Sequence, residues 1–355
     1  MSNVKEFLRR KDIEISAKRY GVDALGAMAQ GLFASLLIGT IVGTLGTQLG
    51  IDVFVQVGDF AKETHVVGAA MACAIGWALH CPPLVLFSLI TVGSATNELG
   101  GAGGPLAVLI ITVIAAELGK AVSKETKIDI LVTPFVTIFS GCMLAAWCAP
   151  AIGAAASAVG QIIMWATDLQ PFLMGVVVSV VVGVALTLPI SSAAICAALG
   201  LTGLAGGAAV AGCCAQMIGF AVMSFRENRW GGLVSQGLGT SMLQMPNIVR
   251  NPRIWIPPTL ASAITGPIAT CVFGLQMNGA PVSSGMGTCG LVGQIGVYTG
   301  WISPTNNAAP VSPGMMEWLG LILISFVLPA ILSVIFCEIL RKMGWIKEND
   351  LKLED

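Results

Sequence analysis

Three uninterrupted apolar runs, at 24–46, 171–190 and 319–337, limit what this chain can fold into more than any other feature. Each exceeds the roughly 18 residues at which a helix can cross a hydrocarbon core of about 30 Å. In lipid the backbone must satisfy its own hydrogen bonds, which leaves helices or a closed barrel. The runs do not alternate apolar with polar residues, so a barrel is excluded. Composition agrees: 55% of the 355 residues are hydrophobic and only 10% charged, with a mean hydropathy of +0.85. A soluble domain carries about 25% charged residues. The sequence therefore predicts an all-α polytopic integral membrane protein, with about 8–10 membrane segments.

Several function classes drop out. The net charge of −1 decides nothing about nucleic acid, but no basic block of the required density exists, so no nucleic-acid partner is expected. The ten cysteines lie within apolar stretches and form no CxxC pair, so they read as small packing residues rather than disulfides or ligands. His65 and His80 are far apart and lack Cys or Asp neighbours, and no metal site is expected. There is no P-loop and no GxSxG, hence no catalytic constellation and no cofactor. Residues 1–20, including VKEFLRRKDIEISAKRYG, read as an amphipathic helix on the cytoplasmic face of the membrane. A transmembrane domain at 21–340 and a cytoplasmic tail at 341–355 complete the organisation.

Basic residues mark the topology. Lys5, Arg9, Arg10, Lys11, Lys18, Arg19, Lys120, Lys124, Lys127, Arg226, Arg229, Arg341, Lys342 and Lys347 fall between apolar runs, and the positive-inside rule places them in the cytoplasm with both termini. Segments 47–60 and 151–170 hold no Lys or Arg and should face outward. Counting 65–93 as one crossing sends Lys120 outside. Counting 171–190 and 203–223 as consecutive crossings does the same to Arg226. Two broken, re-entrant regions would remove both conflicts: CPPLVLFSLITVGSATNELGGAGGPLAV at 81–108 and LPISSAAICAALGLTGLAGGAAVAG at 188–212. Both run from a proline through small residues to a Gly-Gly pair, the order an internal repeat with discontinuous helices would give. Non-helical backbone at membrane depth implies a protein- or water-lined cavity. Gly39-xxx-Gly43 and Gly46-xxx-Gly50 fit close helix packing in the first span.

The stretch LQMPNIVRNPRIWIPPTLASAITGP at 243–267 sets Arg250 and Arg253 among prolines that deny a continuous helix. Two helical ends should meet near Asn251-Pro252. An arginine at mid-membrane costs several kcal/mol, about 3 on insertion scales, unless partnered. An ordinary aqueous loop is the competing reading. Other polar residues in apolar context are Gln216, Gln236, Gln244, Asn247, Gln276, Asn278, Ser283, Ser284, Thr288 and Gln294, with His80, Asn97 and Glu98 upstream and Thr305, Asn306 and Asn307 downstream. Amides and hydroxyls both donate and accept, which suits a neutral polyhydroxylated ligand. The candidate substrate-binding set is Asn247, Arg250, Asn251, Gln244, Ser283, Ser284, Asn97, Glu98 and His80. Glu98, at the Gly-rich break, is also a candidate proton-coupling group, whereas Glu117 can pair with Lys120.

From 130 to 290 the chain resembles the membrane-embedded IIC components of the sugar phosphotransferase system, of the fructose–mannitol type. LTLPISSAAI at 186–195, FRENRWGGL at 225–233 and GTSMLQMPNIVRNPRIWIPP at 239–258 stand in the order of that family's motifs, with Pro246, Asn251-Pro252 and Ile256-Pro257 on its prolines. Pro281-Val282-Ser283-Ser284-Gly285 stands at its PHGG-like turn. The family's Glu, Asp and His fall on Met242, Asn251 and Val282. The whole chain looks nearest to the stand-alone branch named after the perfringolysin O regulator. The resemblance implies a permease fold, a homodimer in the bacterial cytoplasmic membrane, a small sugar-like solute, and a separate IIB partner for any phosphoryl coupling. A membrane sensor acting through a regulatory protein, and a proton-coupled carrier, remain the alternatives.

Overall fold

A computed structural model describes residues 2–306 and 308–353. Among the described residues the chain is helical, with one isolated bridge, Gly203 to Met277, and no strand. Among the described residues five helical stretches are long and apolar enough to cross a membrane: Arg19–Leu49, Pro83–Val122, Asp129–Thr167, Gly203–Met223 and Met315–Lys342. Shorter apolar helices are Thr64–Ala78 and Pro171–Thr187. The all-α polytopic expectation holds. The chain divides into two compact units, Met1–Ala155 and Ala156–Asp355, and the division falls within the 39-residue helix Asp129–Thr167.

The first unit opens with α1 (Ser2–Arg10), then a turn, then α2 (Arg19–Leu49). Helix α2 packs on α3 (Asp52–Lys62) through glycines. A Cβ on Gly46 would meet the backbone of Phe54 and Val55, and one on Gly39 would meet Gly58 and Ala61. Gly50 plays a different part from that expected of it. It ends α2 in the left-handed region, φ 67°, with nothing within 4 Å of its missing side chain. A single residue, Glu63, separates α3 from α4 (Thr64–Ala78), and both run back along α2.

The region at 81–108 is not a re-entrant break. It is a helical hairpin: α5 (Pro83–Gly100) and α6 (Gly104–Val122) joined by the turn Gly101–Gly103, where Gly101 takes φ 49°. The topological conflict disappears by another route, because 65–93 contains two traverses. A tight turn at Leu79–Pro82, with His80 at φ 54°, reverses the chain between α4 and α5. Lys120 consequently ends beside the N-terminal segment. Its ammonium donates to the carbonyls of Asp12 (2.7 Å) and Leu79 (3.1 Å), and Arg19 donates to the same Leu79 carbonyl (3.0 Å). Glu117 pairs with Lys120 at 3.0 Å, as its spacing suggested, and accepts from the Tyr20 hydroxyl (3.1 Å).

The N-terminal segment is tied to this end by charge. Asp12 meets Arg19 at 2.6 Å, and Glu125 meets Lys11 at 2.5 Å and Arg10 at 2.7 Å; Lys11 also donates to the Ser123 carbonyl. The hydrogen bond from Arg19 holds the Asp12 carboxyl below its ordinary 3.8, and that from Lys11 does the same for Glu125 below 4.5. In both cases the native state takes up a proton less readily than the unfolded chain. The stabilisation is therefore complete above the ordinary carboxylate range and lost as pH falls through the depressed native values. Acidification should expose residues 2–18 to protease before the helices unfold. The double variant Asp12→Asn/Glu125→Gln should show that exposure already at neutral pH, and an unchanged acid profile in it would refute the assignment.

The second unit is organised around three helices: α8 (Pro171–Thr187), α10 (Gly203–Met223) and α13 (Ile256–Pro267). Small residues let the backbones approach. A Cβ on Gly212 would collide with the Ser179 carbonyl, and one on Gly266 with that of Gly175. Ser179 donates to the Ser262 carbonyl (2.8 Å) and Ser262 to that of Gly212 (3.3 Å).

Helices α8 and α10 run parallel, since Ser179 sits beside Gly212 and, further along both, Thr187 beside Gln216. The link between them must therefore return across the unit, and here the expected break is present. Leu188-Pro189 stops α8, a seven-residue α9 (Ser192–Ala198) follows, and Gly200 and Gly203 take φ of 59° and 66°. Arg226 thus reaches the same end as Arg341, the end where Arg341 pairs with Glu227 at 2.7 Å and Arg226 with Glu338 at 3.0 Å.

The repeat suggested by the shared Pro-to-Gly-Gly order is not matched in backbone, because 81–108 joins two long helices by one tight turn, whereas 188–212 holds a seven-residue helix between two breaks. The structural companion of α9 is the turn Pro281–Gly285, which packs against it and leads through Gly287, Gly290 and Leu291, all at positive φ, into α14 (Val292–Ile302).

Candidate functional site

Within the second unit, polar side chains gather in three places. The first is centred on Gln216, fully buried on α10. Its Oε1 accepts from the Trp255 indole (3.0 Å) and the Thr187 hydroxyl (3.3 Å), while its Nε2 donates to Thr259 (3.2 Å). Thr187 shares a further hydrogen bond with Ser241 (2.8 Å). One amide thereby fixes the end of α8, the turn at 241–244 and the start of α13. Thr187, Ser241, Trp255 and Thr259 escaped the sequence reading. The available signals were a hydroxyl directly before the Leu-Pro break and an indole inside the proline-rich stretch.

The second group lies where the interrupted segments meet. Ser192 donates to the Gly285 carbonyl (2.7 Å), Ser284 to that of Leu201 (2.7 Å) and Thr288 to that of Gly237 (2.5 Å). Ser283 is buried against Gly296. These hydroxyls satisfy the carbonyls that broken helices leave open, as membrane-depth backbone requires. Gln294 differs. Its Nε2 donates to the Cys214 sulfur (3.2 Å), but its buried Oε1 has no partner. An unsatisfied buried acceptor costs about 1–3 kcal/mol.

The third group holds Gln244, Asn247 and Asn251. The stretch does form two helical ends meeting at Asn251: α12 (Met245–Arg250) stops there, and Asn251 Oδ1 accepts from the Arg253 amide to start the next turn (3.2 Å). The amides, however, face this chain's own C-terminal segment. Gln244 donates to Gln236 (2.9 Å) and to the Leu351 carbonyl (3.0 Å). Asn247 donates to Gln244 (2.8 Å) and to the Lys352 carbonyl (2.9 Å). Asn251 donates to the Trp345 carbonyl (3.0 Å) and to Asp350 (2.7 Å). Arg253 lies over the Trp345 ring at 5.2 Å, and Arg250 is exposed at the end of α12.

In the first unit, Asn97 holds the α5–α6 turn by donating to the Thr64 carbonyl (2.9 Å). Glu98 lies on the last turn of α5, 60% exposed and 3.7 Å from His65. His80 sits at the other end of α5, 3.2 Å from Asp12, so Asn97 and Glu98 are about 25 Å from it along the helix. Asn307 lies outside the described residues. No group of three His, Cys, Asp or Glu side chains among the described residues could hold a metal ion.

A helical membrane chain with parallel helices joined by an interrupted return, and with hydroxyls capping that interruption, belongs to the class of solute-handling membrane proteins built on discontinuous helices. The phosphotransferase system EIIC family matches residues 22–353, and the chain belongs to that family. It is therefore a multi-pass membrane component of the phosphotransferase system, of the sugar permease type. No curated protein and no solved structure matches it.

Proposed function

We propose that the chain binds and translocates a small sugar-like solute at the meeting of α9, the 281–285 turn and α14, in the bacterial cytoplasmic membrane, as a homodimer with both termini in the cytoplasm. The observation that carries this reading is the unpartnered Gln294 Oε1, buried on the first turn of α14, the helix into which the 281–285 turn leads. A polyol or sugar hydroxyl donating to that oxygen would relieve its desolvation cost. The hydroxyls of Ser192, Ser283, Ser284 and Thr288 on the adjoining segments suit a neutral ligand. Phosphorylation of the solute would need a separate IIB protein, and buried Met242 and Val282, standing where the family's Glu and His fall, weigh against such coupling.

The test is a thermal-shift screen of the purified protein against sugars, polyols and sugar acids, repeated with Gln294→Leu. A ligand that stabilises the wild type should lose at least about tenfold in affinity in the variant, matching about 1.4 kcal/mol for one buried hydrogen bond. Equal affinity in both would move the solute site elsewhere.

A further inference from the structure

Helix α10 ends its apolar span at Met223, and α11 (Phe225–Val234) follows after one residue, Ser224. The second of these helices is kinked. Arg229 takes φ 51°, a conformation that residues with a side chain rarely adopt, and the two parts of α11 face different surroundings. Before the kink, Glu227 pairs with Arg341 of α15 (Met315–Lys342) at 2.7 Å. Asn228 donates to the Leu351 carbonyl and accepts from the Leu353 amide, both at 2.8 Å. After the kink, Trp230 is 71% exposed, and Val234 and Leu238 are exposed at successive four-residue intervals. The Trp230 ring meets Phe225 edge-on at 5.4 Å, which holds this apolar strip beside Arg226. A tryptophan on an outward apolar strip, at the charged end of membrane helices, suits a lipid–water boundary.

Arg226 also lines a polar cleft of about 480 Å³, together with Glu227, Arg341, Glu348, Asn349 and Lys352. One wall is the C-terminal segment, folded in turns. Asp350 accepts from the Lys347 amide (2.8 Å) and from Asn251 (2.7 Å), and the Lys352 amide donates to the Asn349 carbonyl (3.1 Å). These turns bring Glu348 and Lys352 to the same opening. Charge there is unevenly satisfied. Arg341 pairs with Glu227 and Arg226 with Glu338, whereas the Lys352 ammonium has no ion pair among the described residues. The Glu227 side chain is 3% exposed against 67% for Arg226, so Glu227 marks the inner end of the cleft and Arg226 its mouth. Only one Glu227 oxygen is used; Oε2 is buried without a hydrogen-bond partner.

We propose that the cleft and the strip together bind one phospholipid of the bilayer. The phosphodiester lies at Arg226 and Lys352, the terminal group of the head reaches toward Glu227, and an acyl chain runs along Trp230, Val234 and Leu238. Basic pockets at the ends of membrane helices hold lipid headgroups by the same attraction. The carboxylate at the inner end selects among lipids. Glycerol and ethanolamine heads carry an O–H or N–H for the Glu227 oxygen that lacks one, whereas choline has a charge but no such donor. A soluble phosphate ester would fill the cleft and leave the strip bare, so the lipid is the ligand that uses both. The site shares no residue with the solute site proposed above, and the two readings stand independently.

The test is native mass spectrometry of the delipidated full chain in detergent, titrated with phosphatidylglycerol, phosphatidylethanolamine and phosphatidylcholine of identical acyl chains. Wild type should bind the first two about tenfold more tightly than phosphatidylcholine, the worth of one charge-assisted hydrogen bond. The double variant Arg226→Gln/Lys352→Gln changes two exposed side chains and should weaken phosphatidylglycerol binding by about tenfold. Trp230→Ala should weaken all three lipids alike. Equal affinity of wild type for the three lipids, or undiminished binding in the double variant or in Trp230→Ala, would overturn the proposal. So would displacement of the lipid by millimolar glycerol 3-phosphate, which would make the cleft a site for a soluble phosphate ester. Conversion of a dimer to a monomer by Trp230→Ala would also overturn it, by giving the strip to a second copy of the chain.

Discussion

Replacing Lys120 with methionine should destabilise the first unit more than any other single side-chain change there. The Lys120 side chain is 1% exposed, and its ammonium serves the Asp12 and Leu79 carbonyls and the Glu117 carboxylate together. Methionine fills a similar volume but takes the ammonium from the Asp12 carbonyl, leaves the Leu79 carbonyl to Arg19 and Glu117 to the Tyr20 hydroxyl, and strands the Glu117 charge with little water around it. Breaking one side of a buried pair costs about 3–5 kcal/mol, mostly the penalty on the partner left behind. Unfolding by SDS, followed by tryptophan fluorescence, should show a loss of that size. Lys124→Met, at an exposed lysine four residues on, should change stability by less than about 0.5 kcal/mol. The added change Glu117→Gln should recover part of the loss by removing the stranded charge. A Lys120→Met protein as stable as wild type would mean that the ammonium is not what closes this end.

The second large effect is expected at Gly212. Its missing side chain faces the Ser179 backbone carbonyl, and its own carbonyl accepts from Ser262, so three helices meet across one glycine. Overpacking commonly costs about 1–3 kcal/mol where a side chain can give way. Here the obstacle is main chain within a helix, and it can move only if α8 separates from α10. Gly212→Ala should fall at the upper end of that range, and Gly212→Val should fail to yield folded protein. Gly231→Ala, where nothing lies within 4 Å, is the matched control and should be close to neutral. Tolerance of valine at 212 would show that α8 and α10 are not in the close contact described.

Much of the architecture could be read from residue order. The apolar runs forced helices because lipid offers the backbone no other partner. The basic residues forced parity corrections in both halves, and the break after α8 falls at Leu188-Pro189 because proline denies the helix a donor, so that the small residues beyond it start a separate short helix, α9. The Glu117–Lys120 pair followed from helical spacing alone.

Where the sequence misled, the cause was long-range. The Gly-rich segment at 101–104 looked like the one at 200–207, yet glycine permits a hairpin turn as readily as a re-entrant break, and only packing against α4 and against α7 (Asp129–Thr167) selects between them. The amides at 244, 247 and 251 showed by their type that a hydrogen-bonding surface was present. Their partners lie about a hundred residues away in the C-terminal segment, and no local pattern announces a contact at that distance. Gln294 shows the same division. Its polarity in an apolar run marked it as unusual, but that its oxygen has no partner is a fact about every atom around it. The sequence by itself determined solvent, helical class and the sites of interruption, because those follow from backbone hydrogen bonding and short-range sterics. The tertiary structure alone decided which polar groups satisfy one another and which stay unpaired, because pairing depends on where the rest of the chain ends up.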